Sequence, residues 1–193
     1  MDRADVAMTM RLLSSMYLCQ PSAEALRGWK SLLAEDVPEV LDDLKAALGT
    51  IDVGSDADVA TLLWDYTRLF IGPYKLPCPP WESVYTSQKQ LMMQEAAVAA
   101  GRAYAEYGLA VDQTAVMPDH IGAELNFLAV VYGASAEDAV AQAESARTGL
   151  AFLNDHLRKW VPQFTVDMEA AAETDLYAAL ARTTRRALEL PGA

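Results

Sequence analysis

Apolar residues recur along most of the chain at steps of three and four, the spacing that gathers side chains on one face of an α-helix. Val6, Met10, Leu13 and Tyr17 define the first such face, which ends before Pro21. A second helix is expected over Ala23 to Ala34. A third is expected over Pro38 to Leu48, with Pro38 in the first turn and Gly49 closing the end. Thr50 to Ser55 is small and polar and reads as a loop. Ser55 and Asp58 then have the spacing of a capping box, and Val59, Leu62, Leu63, Tyr66 and Phe70 form the apolar face of a fourth helix.

Gly72-Pro73 stops that helix, and the nine residues from Gly72 to Pro80 include four prolines, so they form neither helix nor central strand. The segment is apolar for a loop, which implies that it packs down onto something. Ser87 with Gln90 offers another capping box, opening a long helix to about Tyr107 that Gly108 ends. Pro118 and Asp119 open the next helix, which runs to near Gly133, and Ser135 to Leu157 is alanine-rich and helical. Shorter helices fit Pro162 to Ala171 and Thr174 to Leu190, the latter with Arg182, Arg185 and Arg186 toward the end that favours cations. No strand and no repeat is read. The expected fold is all-α: a single helical-bundle domain of about nine helices over residues 1–193, with the proline-rich connection at 72–86 as a candidate hinge.

Composition narrows the function. The chain has 193 residues, 52% of them apolar and 22% charged, which suits a globular domain with a real core. Its net charge is −12 and no segment is basic, which argues against binding nucleic acid, because phosphate neutralisation needs clustered Lys and Arg. No apolar run approaches the roughly 20 residues that span a bilayer. Met1-Asp2-Arg3-Ala4-Asp5 has neither the basic start nor the unbroken apolar stretch of a secretory signal, so a cytoplasmic protein is expected. Cys19 and Cys78 make no disulfide framework and read as reduced thiols.

Two clusters carry the candidate chemistry. Tyr66-Thr67-Arg68-Leu69-Phe70-Ile71-Gly72-Pro73 is followed by Pro79-Pro80-Trp81-Glu82-Ser83-Val84-Tyr85, and together they make a helix end and a stiff proline loop holding aromatic rings. Proline lowers the entropy lost on ordering, so an apolar loop of this kind makes a preformed wall. The second cluster, Pro118-Asp119-His120 with Glu124-Leu125, puts His120 and Glu124 one turn apart. Taken singly, Phe70, Trp81 and Tyr85 read as core aromatics, and Asp119 as a helix N-terminal charge. Asp119-His120 is echoed by Asp155-His156, a pattern that could build a divalent-metal site in a bundle. There are only these two histidines and no Glu-x-x-His, so no metal and no cofactor are expected. Ser83 and Cys78 lack a glycine elbow, and there is no phosphate-binding glycine motif. No enzyme is expected.

At these residues the chain resembles the TorD/DmsD group of redox-enzyme maturation chaperones. The resemblance rests on Arg68-Leu69-Phe70-Ile71-Gly72-Pro73, on Pro79-Pro80-Trp81-Glu82-Ser83-Val84-Tyr85 and on Asp119-His120 with Glu124-Leu125. Looser echoes run from Asn154-Asp155-His156-Leu157 to Trp160, Phe164 and Tyr177. Two departures stand out: Asp65 lies near where the family often has glutamate, and Glu82 fills a place that is often small.

The resemblance implies a cytoplasmic, non-enzymatic binder of the twin-arginine signal peptide and body of a molybdopterin-containing oxidoreductase, which it holds for cofactor insertion before export. It also implies a leader-binding set. Tyr66, Phe70, Pro80, Trp81 and Tyr85 would line the apolar part, Asp119, His120 and Glu124 would form the polar end, and Arg68 and Ser83 would complete the set. A monomer able to swap domains into a homodimer through the hinge is expected. Two rival readings remain: an assembly chaperone of the nitrate-reductase type with a non-exported client, and a helical metal-dependent hydrolase.

Overall fold

The computed structural model describes residues 2–73, 75–87, 95–109, 116–134 and 139–189. Among them are ten α-helices: α1 (Arg3–Leu18), α2 (Ala23–Ala34), α3 (Asp42–Gly49), α4 (Asp56–Phe70), α5 (Glu82–Thr86), α6 (Glu95–Glu106), α7 (Ile121–Gly133), α8 (Ala139–Asp155), α9 (Leu157–Ala171) and α10 (Asp175–Ala187). No strand occurs among the described residues, only a one-residue bridge between Trp81 and His120. The chain is all-α. None of the described helices is long and apolar enough to cross a membrane.

Local chemistry accounts for most of the boundaries. Asp2 and Asp5 close a capping box at the start of α1, Ser22 caps α2, and Ser55 accepts from the Asp58 amide to start α4. Gly72 and Gly108 sit at φ 101° and 78°, the left-handed conformation in which helices end most cheaply on glycine. A 3₁₀ turn, Glu39–Leu41, precedes α3, so the third helix begins later than Pro38. The tenth helix is the short α5, folded just after the proline loop. The longest departure is α9, which begins at Leu157 and carries Pro162 inside it. The capping box of Ser87 with Gln90 and the start of the alanine-rich helix at Ser135 lie outside the described residues.

One apolar cluster runs from Val6 to Leu188. Helix α1 packs along α7, and α10 packs on α9, α3 and α1. Where α1 meets α7 the backbones come close: Ser14 Oγ donates to the Gly122 carbonyl at 2.7 Å, and a Cβ on Gly122 would stand 2.5 Å from Leu18 Cγ. The effect of this bundle is to hold α5, the N-terminus of α7 and the α8–α9 junction against one another.

Candidate functional site

The centre of the site is a backbone bridge. Ile121 N–H donates to the Pro80 carbonyl and Glu82 N–H to the Asp119 carbonyl, each at 2.9 Å, so the proline loop is laced to the start of α7. Trp81 and His120 therefore face each other, with ring centroids 5.9 Å apart and planes at 74°, and both remain half-buried. His120 is the N-cap of α7: its Nδ1 accepts from the Gly122 amide at 3.0 Å. Burial pulls its pKa down to about 4, so the ring is neutral at neutral pH. With Nδ1 accepting, the ring proton sits on Nε2 as a donor.

Asp119 does a different job from the one its position in sequence suggests. It is fully buried, and its Oδ2 accepts from the Ser83 amide at 3.1 Å, capping α5 from another element. Its Oδ1 has no hydrogen-bond partner among the described residues. Ser83 and Pro80 are buried as well. Tyr85 is half-buried, its ring 5.5 Å from Trp160 and 6.2 Å from Phe164.

The remaining residues of the expected set lie elsewhere. Tyr66 and Phe70 are only 6% and 7% exposed, and they build an aromatic core with Tyr17 and Tyr177 where α1, α4 and α10 meet. The Tyr66 hydroxyl donates to the Tyr17 carbonyl at 2.9 Å. Arg68 pairs with Asp65 at 2.7 Å and Glu173 at 3.2 Å, and also donates to the Ala171 carbonyl. Thus Arg68, Trp81, Tyr85 and His120 are partly exposed, while Tyr66, Phe70, Pro80, Ser83, Asp119 and Glu124 are buried.

Behind the bridge lies a buried polar cluster that the sequence does not reveal. Glu82 from α5, Glu124 from α7 and His156 between α8 and α9 converge, with one ligand-capable atom of each within 4.8 Å of the others. His156 Nδ1 lies 2.7 Å from Glu82 Oε2, and Trp160 Nε1 donates to Glu124 Oε2 at 3.1 Å. Burial first, then the charge of Glu82 and a hydrogen bond to it, hold the Glu124 carboxyl well above the usual range, so it keeps its proton. The sequence singles out Glu124 and the Asp155-His156 dipeptide, but nothing in it joins them to Glu82, which stands 74 positions from His156. Two grooves adjoin His156. One, of about 660 Å³, is lined by Tyr107, Phe127, Arg147 and Phe152; the other, of about 680 Å³, by Glu82, Glu95, Asp155 and Lys159.

Residues 30–166 match the model of the family described as nitrate reductase delta subunit. The chaperone protein TorD of Photobacterium profundum is 27% identical over 76% of this chain and 69% of its own length. The Tat proofreading chaperone DmsD of Salmonella typhi is 29% identical over 65% of this chain and 63% of its own, so the chain spans a little under two thirds of that relative. Among solved structures, a candidate redox enzyme maturation protein from Archaeoglobus fulgidus superposes with a TM-score of 0.68 at 25% identity, covering 95% of this chain and 94% of that one.

Proposed function

The chain belongs to the nitrate reductase delta subunit family and groups there with the TorD and DmsD redox-enzyme maturation chaperones, and we propose that it works as one domain that binds a molybdoenzyme's twin-arginine leader and catalytic subunit. These relatives are chaperones, not catalysts. In this reading the protein acts in the cytoplasm, holds its client for cofactor insertion and needs no cofactor itself.

The observation that carries the reading is the half-buried Trp81–His120 pair, fixed by two backbone hydrogen bonds and followed in sequence by Glu82, which lines an acidic groove. A leader couples two arginines to a short apolar segment, so it needs an aromatic wall next to carboxylates. Trp81 with Tyr85 supplies the wall. His120 Nε2–H can donate to a leader carbonyl, and Glu95 and Asp155 line the groove that Glu82 enters, with Lys159 the one Lys or Arg among its described lining residues. Asp119 supports this surface from beneath, through α5, rather than by touching the leader's guanidinium groups in this conformation.

The test is calorimetry with a synthetic twin-arginine leader. Trp81→Ala should weaken binding by about 2 kcal/mol, roughly 30-fold, with little dependence on salt, because apolar contact is not screened. Asp155→Asn should cost less, about 1 kcal/mol, and its cost should shrink as salt rises. Wild-type affinity in a folded Trp81→Ala protein overturns the leader assignment. The nitrate-reductase-type reading predicts instead that a client's catalytic subunit binds equally well with its leader removed.

A further inference from the structure

We propose that Glu82, Glu124 and His156 form a binding site for a single divalent transition-metal ion, pinning α5 to α7 and to the α8–α9 junction. The donor atoms already lie within 4.8 Å of one another, and all three residues are buried. Two carboxylate oxygens and one imidazole nitrogen suit zinc, manganese(II) or iron(II) rather than a soft ion that prefers sulfur.

A second observation points the same way. Asp119 Oδ1 is a buried carboxylate oxygen with no hydrogen-bond partner among the described residues. Three carboxylates, those of Glu82, Asp119 and Glu124, are sunk in this region, and no Lys or Arg pairs with any of them among the described residues. An ionised carboxylate can only accept, so further side-chain acceptors leave Asp119 Oδ1 unsatisfied, whereas a cation nearby offsets its charge. The outer supports of such a site are also present. Trp160 Nε1 holds Glu124 Oε2, and the Phe152 ring stacks on His156 at 4.4 Å. Glu82 and His156 line the 680 Å³ groove, which gives an ion a route in.

Three donors from three separate elements leave a coordination position for water or for a donor from a partner. The site needs no leader and stands whether or not leader binding does. It uses His156 but not the Asp119-His120 and Asp155-His156 pairing that the sequence suggests.

The full chain, without a polyhistidine tag and stripped by chelator, is titrated with zinc sulfate and manganese(II) chloride by calorimetry and equilibrium dialysis. One equivalent of zinc should bind at micromolar Kd or tighter, and zinc should raise the unfolding midpoint. Glu124→Gln, which keeps the shape and the hydrogen bond from Trp160, should weaken zinc by about 100-fold. His156→Gln should do the same, and Asp155→Asn at the groove mouth should change affinity less than about 3-fold. Substoichiometric zinc in the wild type overturns the site, and so does unchanged affinity in folded Glu124→Gln. Should both ligand variants unfold, cobalt(II) added to the wild type decides: a four- or five-coordinate nitrogen–oxygen absorption spectrum supports the site, and the spectrum of the hydrated ion overturns it.

Discussion

Glu124 and His120 sit one turn apart, yet burial pushes their titrations in opposite directions, and this gives the protein a stability optimum with two differently caused flanks. The His120 pKa falls from 6.5 in an open chain to about 4 in the fold, so the unfolded state takes up the proton first. Its contribution is therefore complete above pH 6.5 and is lost as pH falls toward 4, by up to about 3 kcal/mol. Glu124 is raised above 4.5, so its folded state holds the proton longer. That contribution is complete below pH 4.5 and declines as pH rises above it. Urea unfolding of metal-free protein from pH 4 to 8.5 checks both arms. Glu124→Gln should flatten the alkaline arm, since an amide mimics the protonated acid. His120→Asn should flatten the acid arm while preserving the cap, because asparagine also accepts from the Gly122 amide. If neither substitution changes the shape of the profile, burial does not set these two titrations. The sequence announces both residues, but not the cause, because Trp81 of the proline loop packs on His120 while Glu82 of α5 and Trp160 of α9 close over Glu124.

At the scale of elements, two helices begin on carboxylates borrowed from elsewhere. Asp119 caps α5, and Asp65 of α4 caps the start of α10: its Oδ2 accepts from the Glu173 and Thr174 amides at 3.0 and 2.8 Å and from the Thr174 hydroxyl at 2.9 Å, while Oδ1 holds Arg68. Thr174 itself makes no side-chain cap. Asp65→Ala should thus cost about 3 kcal/mol in urea unfolding, the penalty of stripping a buried acceptor from an ion pair and a helix end. Asp65→Asn should cost roughly half of that, since its amide oxygen can still accept, and Arg68→Ala about 1 kcal/mol because that side chain is partly exposed. Equal losses for Asp65→Asn and Asp65→Ala would count against the capping role. Caps that act along the chain, such as Ser55 on α4, are legible from spacing. Caps from another element are not, which is why Asp119 reads as the start of α7 and Asp65 only as a departure from a family pattern. Arg158 to Val161 escaped for a related reason: a proline usually opens a helix, but Pro162 is accommodated inside α9, whose buried face is anchored on both sides of it by Trp160 and Phe164.

At the scale of the molecule, the helices before the proline connection interlock with those after it. Ser14 and Gly122 join α1 to α7, the Tyr17 hydroxyl meets Thr184 Oγ1 of α10 at 2.9 Å, and the Tyr66 and Phe70 rings of α4 pack, tilted and edge-on, against Tyr177 of α10. The connection is itself fastened, with Cys78 and Pro80 buried. Exchange of α1–α4 between two copies through a hinge at 72–86 must break all of this at once, at a cost near that of global unfolding. A swapped dimer, if it forms, does so only through largely unfolded chains, and it reverses at the unfolding rate rather than at the rate of surface dissociation. Freshly purified protein should therefore elute as a monomer at every concentration, helped by the mutual repulsion of chains carrying −12. Refolding from urea at high concentration should produce a dimer that survives dilution for hours and decays faster in Tyr17→Phe, which loses the hydrogen bond to Thr184 in both forms and unfolds sooner. Size-exclusion chromatography with light scattering follows every step. A dimer that equilibrates within minutes of dilution, or an obligate oligomer, excludes exchange through this hinge.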